Sequence, residues 1–71
     1  MNLLDAIIKE FELKNDAHLA DKLGILPSRV SKMRHGRLSV TDSFILVVYD
    51  KTGWSIERIR EEIKKGEESL L

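Results

Sequence analysis

The sequence predicts an all-α fold, a compact bundle of about five short helices. Three observations predict it. Apolar residues recur at three- and four-residue spacing through most of the chain. Capping residues and glycines bracket those stretches at helix length, with Asn15, Thr41 and Ser55 ahead of them and Gly24, Gly36 and Gly53 behind. The composition, 42% hydrophobic and 34% charged, suits a folded domain rather than a disordered tail.

The first helix is expected over residues 3–13, where Leu4, Ile7, Ile8 and Phe11 share one face, with Asn2 as N-cap and Asp5 in the first turn. Asn15 caps a second helix whose inner face is Leu19, Ala20 and Leu23. Gly24 stops it by taking a positive φ at no steric cost. After a short turn at Ile25 and Leu26, Pro27 suits the first position of a third helix, where its missing N–H loses nothing. That helix is expected over residues 27–35, with Val30 and Met33 facing inward and Gly36 ending it. Leu26 then falls at the N-cap without a side-chain acceptor, and nothing in the sequence explains it.

Thr41 begins the next element, and the run of residues 44–49 that follows reads two ways. Its β-branched and aromatic side chains suit a buried strand, and Asp50, Lys51, Thr52 and Gly53 make an acceptable hairpin turn. The Thr41 cap and the Gly53 stop suit a helix of about three turns, which is preferred. Ser55 caps the last helix, with Arg58 where a capping-box acid is the usual choice. Ile56, Ile59 and Ile63 line its inner face, Trp54 packs beside them, and Lys64, Lys65 and Gly66 close it. The domain is thus expected to occupy residues 1–66, with residues 67–71 as a frayed tail. No linker, repeat or low-complexity stretch divides the chain.

With 71 residues there is room for one domain. At that size folding buries only about 60% of the surface of the unfolded chain, so the core is thin and outside support is common. The absence of cysteine removes disulfides and thiolate zinc sites. His18 and His35 are too far apart in sequence to form a local ligand pair, so neither a metal nor a cofactor is expected. Self-association remains as the expected support. The N-terminal segment carries Asp5, Lys9 and Glu10 among its apolar residues, unlike a secretion signal, and no stretch reads as a membrane span. A cytoplasmic protein is expected. No nucleophile–base–orienter set, phosphate loop or metal cluster appears, so the sequence is not read as an enzyme.

The net charge is zero, yet its distribution is uneven. Lys22, Arg29, Lys32, Arg34 and Arg37 fall in one stretch without an acidic residue, while Glu57, Glu61, Glu62, Glu67 and Glu68 gather near the C-terminus. Docking to a polyanion depends on the local field, so overall neutrality does not exclude nucleic acid.

Two short helices joined by a tight glycine turn cross steeply and pack their inner faces. Leu19, Ala20, Leu23, Ile25, Val30 and Met33 fall at the inward places of such a unit. Ala20 must be small to let the third helix approach, and Gly24 permits the turn. The outward residues of the third helix are then Ser28, Arg29, Ser31 and Lys32. Arginine and lysine suit the guanine acceptor pair, and serine donates or accepts, so these four are the candidate base-contacting residues. Arg34, His35 and Arg37 follow as candidate phosphate contacts, joined by Asn15 at the start of the second helix.

The stretch Leu19, Ala20, Asp21, Lys22, Leu23, Gly24, Ile25, continued by residues 27–37 and by Thr52, Gly53, Trp54 and Ser55, resembles the lambda-repressor-like (Cro and phage-repressor) helix-turn-helix family. The resemblance covers residues 4–63. It implies a five-helix domain, bacterial or phage-encoded, that binds double-stranded operator DNA as a homodimer on an inverted repeat and usually represses transcription. Places matching Pro27, Ser28 and Lys32 approach the bases in that family; Arg29 lies slightly off that line. The family often has glutamine where this chain has Asp16, and an aspartate cannot donate to a phosphate and repels it. Asn15 next door is expected to replace the lost donor.

A second class of function fits the same elements: a protein-interaction module of the same fold, antitoxin-like or adaptor. The run of residues 44–49 holds more apolar side chains than one helix face buries, so Phe44 or Val47 is expected to stay exposed, and Leu70 and Leu71 add apolar surface at the C-terminus.

Overall fold

The computed structural model describes residues 2–68, with side chains for residues 3–65. Five helices follow in order, α1 (Asn2–Glu10), α2 (Asp16–Leu23), α3 (Pro27–Arg34), α4 (Asp42–Thr52) and α5 (Ile56–Glu68), and no strand occurs among the described residues. The fold is the all-α bundle that the periodicity predicts.

Most boundaries follow from capping chemistry. Asn15 Oδ1 accepts the His18 N–H at 3.0 Å, Thr41 Oγ1 accepts the Phe44 N–H at 3.2 Å, and Ser55 Oγ accepts the Arg58 N–H at 3.1 Å. Each satisfies one N–H that the first helical turn leaves without a partner. Gly24 (φ 69) and Gly53 (φ 75) end α2 and α4 in the left-handed conformation. The residues 44–49 are helical, and the hairpin alternative is excluded.

Four boundaries differ from expectation. Asn2 lies inside α1 rather than capping it, and the helix stops at Glu10 rather than Leu13. Glu12 takes φ 53, and the Leu13 N–H reaches back to Ile8 O at 2.9 Å, a closure normally made with glycine. Leu13 still packs on the core after leaving the helix, which is why its apolar spacing reads as helical. At α3, His35 is the C-cap rather than the last helical residue. The fourth difference is at the C-terminus, where α5 continues through Gly66 to Glu68, so the expected boundary at residue 66 falls within a helix. Glycine inside a helix costs only about 1 kcal/mol relative to alanine, so it does not oblige a helix to end. Leu70 and Leu71, expected as exposed apolar surface, lie outside the described residues.

The core is apolar throughout. Leu3, Leu4 and Ile7 of α1 meet Leu19, Ala20 and Leu23 of α2, Val30 and Met33 of α3, Phe44, Ile45 and Val48 of α4, then Trp54 and Ile59. Among the described residues no polar or charged residue is buried. Phe44 is therefore interior, contrary to expectation, and Val47 is half-buried against the core. Helical geometry sends Leu46 and Tyr49 outward in their place, at 61% and 51% exposure.

The molecule measures 30 × 25 × 23 Å. With helices about 10–12 Å across, that is some two layers in each direction, so every helix keeps one face at the surface. No helix among the described residues is long and apolar enough to cross a membrane.

Candidate nucleic-acid interface

α2 and α3 are joined by three residues, Gly24, Ile25 and Leu26, and pack closely on each other. The turn is closed by backbone bonds. The Gly24 N–H donates to Asp21 O at 3.2 Å, and the Ile25 N–H to Ala20 O at 3.0 Å. Leu19, Ala20 and Leu23 are buried on one side of this contact, and Val30 and Met33 on the other, while Ile25 is half-buried against them. All seven residues expected to build the unit, Gly24 included, therefore take part in it. A methyl group at Gly24 would meet only Lys51 Cε, at an ordinary 3.8 Å; its positive φ is what calls for glycine.

Because Val30 and Met33 face inward, the opposite side of α3 presents Ser28, Arg29, Ser31 and Lys32, all exposed. Residues three and four apart on a helix are neighbours, so Ser28 and Lys32 stand in line and Arg29 lies beside Lys32. Among the described residues none of these four side chains makes a hydrogen bond, ion pair or ring contact within the molecule. Their polar groups face solvent. The N-cap residue of α3, Leu26, makes no side-chain cap bond and is 66% exposed.

The C-terminal end of α3 is wrapped tightly. Gly36 takes φ 74, and the Arg37 N–H bonds back to Lys32 O at 2.7 Å, which holds Arg37 at the foot of the helix. His35 and Arg37 are both exposed. Asn15 is also exposed at the start of α2; its side-chain oxygen is taken by the His18 N–H, which leaves the amide NH2 as a donor to solvent or ligand.

Arg34 is bonded within the molecule. Its guanidinium turns inward along the protein surface and forms a two-pronged pair with Asp16, Nε to Oδ2 at 2.7 Å and Nη2 to Oδ1 at 2.7 Å. Nη1 reaches Asp5 Oδ1 at 2.8 Å. The Asp16 hydrogen bonds hold the guanidinium above its ordinary pKa, outweighing the desolvation that lowers it, and Asp5 adds to the same direction. Arg34 thus spans α1, α2 and α3, with three of its five N–H groups given to carboxylates. The pair also alters the expected role of Asp16, whose negative charge at the first turn of α2 is neutralised at contact distance.

Other cations are committed elsewhere. Lys22 Nζ sits 4.1 Å from the Phe11 ring, Phe11 stacks with Trp54 at 6.3 Å between centroids, and the Arg58 guanidinium lies 3.9 Å from the Trp54 ring. Trp54 is 6% exposed and serves this packing, as its place beside the last helix predicts. Of the basic stretch, Arg29, Lys32 and Arg37 remain unengaged among the described residues, together with His35. A groove between α1 and α5 is lined by Asp5, Ala6, Lys9, Glu10, Arg58 and Glu62, and none of Arg29, Lys32, His35 and Arg37 lines it.

Comparisons with models of known families, with curated proteins and with solved structures find no match to this chain.

Proposed function

We propose that this chain is a sequence-specific double-stranded DNA-binding protein that docks α3 in the major groove and regulates transcription, as a repressor by its resemblance to the lambda-repressor-like family. Ser28, Arg29, Ser31 and Lys32 face the base edges; Asn15, His35 and Arg37 face phosphates. The observation that carries this reading is the outer face of α3, where Ser28, Arg29, Ser31 and Lys32 are exposed with no partner among the described residues, while Val30 and Met33 root the helix in the core. A side chain with no internal partner keeps its donors for a ligand, and a bidentate base contact is worth about 1–3 kcal/mol of discrimination. The protein acts in the cytoplasm, as a homodimer on an inverted repeat with half-sites ~34 Å apart, and as a binder rather than a catalyst.

The test is a salt titration of binding to a labelled generic duplex. Phosphate-driven affinity falls with salt at a log–log slope of about −0.9 for each phosphate neutralised. The Arg29→Ala/Lys32→Ala variant is expected to bind at least tenfold more weakly at matched salt, since each lost contact is worth about 1 kcal/mol or more. Affinity retained by this variant removes α3 from the interface.

The exposed Leu46 and Tyr49 on α4 favour a second reading, a module of this fold that grips another protein. It is distinguished by duplex affinity that is absent at low salt.

A further inference from the structure

We infer that Arg34 serves DNA binding without touching DNA: it is a positioning residue that masks the Asp16 carboxylate from the phosphate backbone. The inference rests on the DNA-binding reading and adds to it a regulator of the field at the α2 end of the interface. Asp16 is the first residue of α2, directly after Asn15, whose amide is the proposed phosphate donor. An uncompensated carboxylate there repels the ligand that Asn15 is placed to hold. Arg34 cancels it through two bonds of 2.7 Å, and those bonds orient the guanidinium plane toward Asp16.

Asp5 makes the arrangement more than a simple pair. Its 2.8 Å bond to Nη1 holds the guanidinium from α1, so Arg34 stays anchored even when Asp16 is changed. Asp5 and Asp16 side chains are 62% and 37% exposed, and Arg34 27%, so the cluster lies at the surface, where a phosphate feels its net charge. Arg34 therefore has two separable effects: it braces α3 against α1 and α2, and it makes the charge beside Asn15 one unit less negative.

These effects predict opposite responses in stability and in affinity. Asp16→Asn loses a bond and lowers the melting temperature, yet it makes the cluster one unit more positive and tightens binding to generic duplex by about threefold, the Coulomb effect of one unit charge at roughly 6 Å in water. Arg34→Met lowers the melting temperature, bares Asp16, and weakens binding by about tenfold through repulsion and lost bracing together. The double variant Asp16→Asn/Arg34→Met regains affinity to within about threefold of the unaltered protein.

The experiment measures all four proteins by fluorescence anisotropy against one labelled generic duplex at low and moderate salt. It is run well below the lowest melting temperature, with circular dichroism confirming that each variant is folded. Tighter binding by Asp16→Asn together with recovery in the double variant supports the inference. A double variant as weak as Arg34→Met, with a salt slope reduced by about 0.9, means that Arg34 itself meets a phosphate and overturns the inference. Affinities that track melting temperatures leave Arg34 a brace only, which also overturns it. Absence of binding by the unaltered protein is a different failure, since it removes the DNA-binding reading and this inference with it.

Discussion

Glu12 takes a left-handed backbone conformation, φ 53, to let the chain leave α1 and still pack Leu13 on the core. That conformation costs an L-residue with a side chain roughly 1–2 kcal/mol. Glu12→Gly is therefore expected to stabilise the protein by about 1 kcal/mol, less the extra entropy glycine has when unfolded, as read from the midpoint of urea unfolding. Leu26 is the complementary case, an α3 N-cap with no acceptor. Leu26→Ser is expected to add about 1 kcal/mol by capping the first turn. The Leu26 defect is legible in the sequence, because capping is a local rule that can be checked against one residue type. Glu12 is not, since glutamate carries no signal for a positive φ. The role of Arg34 is also hidden: its partners lie 18 and 29 residues away, and only the packing of α1, α2 and α3 brings them together. Reading its charge without those tertiary neighbours leaves the carboxylate bonds out of account.

Among the elements, α2, α3 and their turn were readable because small-residue and glycine requirements fix them sharply. Ala20 is 1% exposed at the α2–α3 contact, and Ala20→Leu is expected to cost about 1–3 kcal/mol by overpacking, measured by thermal unfolding. Gly24→Ala should cost about 1–2 kcal/mol, from the left-handed conformation rather than from lack of space. The α4 element shows where propensity misleads. Ile45, Val47 and Val48 favour a strand, and a strand would have put Phe44, Leu46 and Val48 on one face. Instead Phe44, Ile45 and Val48 are buried while Leu46 and Tyr49 point outward, a helical division. The Thr41 cap and Gly53 stop thus outweighed β propensity. Thr41→Ala is expected to destabilise the fold by about 1 kcal/mol, with α4 amides losing protection from hydrogen exchange first.

Across the whole molecule, a neutral chain is divided into surfaces of different character. The outer side of α3 and its foot carry Arg29, Lys32, His35 and Arg37; the α1–α5 groove carries Asp5, Glu10 and Glu62 together with Lys9 and Arg58. The basic stretch was visible in sequence, whereas the gathering of Asp5 and Glu10 with Glu62, and the engagement of Lys22 and Arg34, required the fold. With a thin core and two exposed apolar side chains on α4, pairing of two chains is the assembly proposed for a DNA-bound state. Sedimentation velocity on an inverted-repeat duplex is expected to give two protein chains per duplex, and a single chain at saturation removes the two-fold arrangement.

The claim on which the account depends is that the solvent-facing side of α3 is the docking surface. Mapping backbone amide shifts in a two-dimensional NMR titration with duplex DNA tests it most directly. The predicted result is a contiguous set of perturbations over residues 27–37 with a smaller set near Asn15. Shifts confined to α4 around Leu46 and Tyr49, or to the α1–α5 groove, with α3 unchanged at saturation, would contradict it.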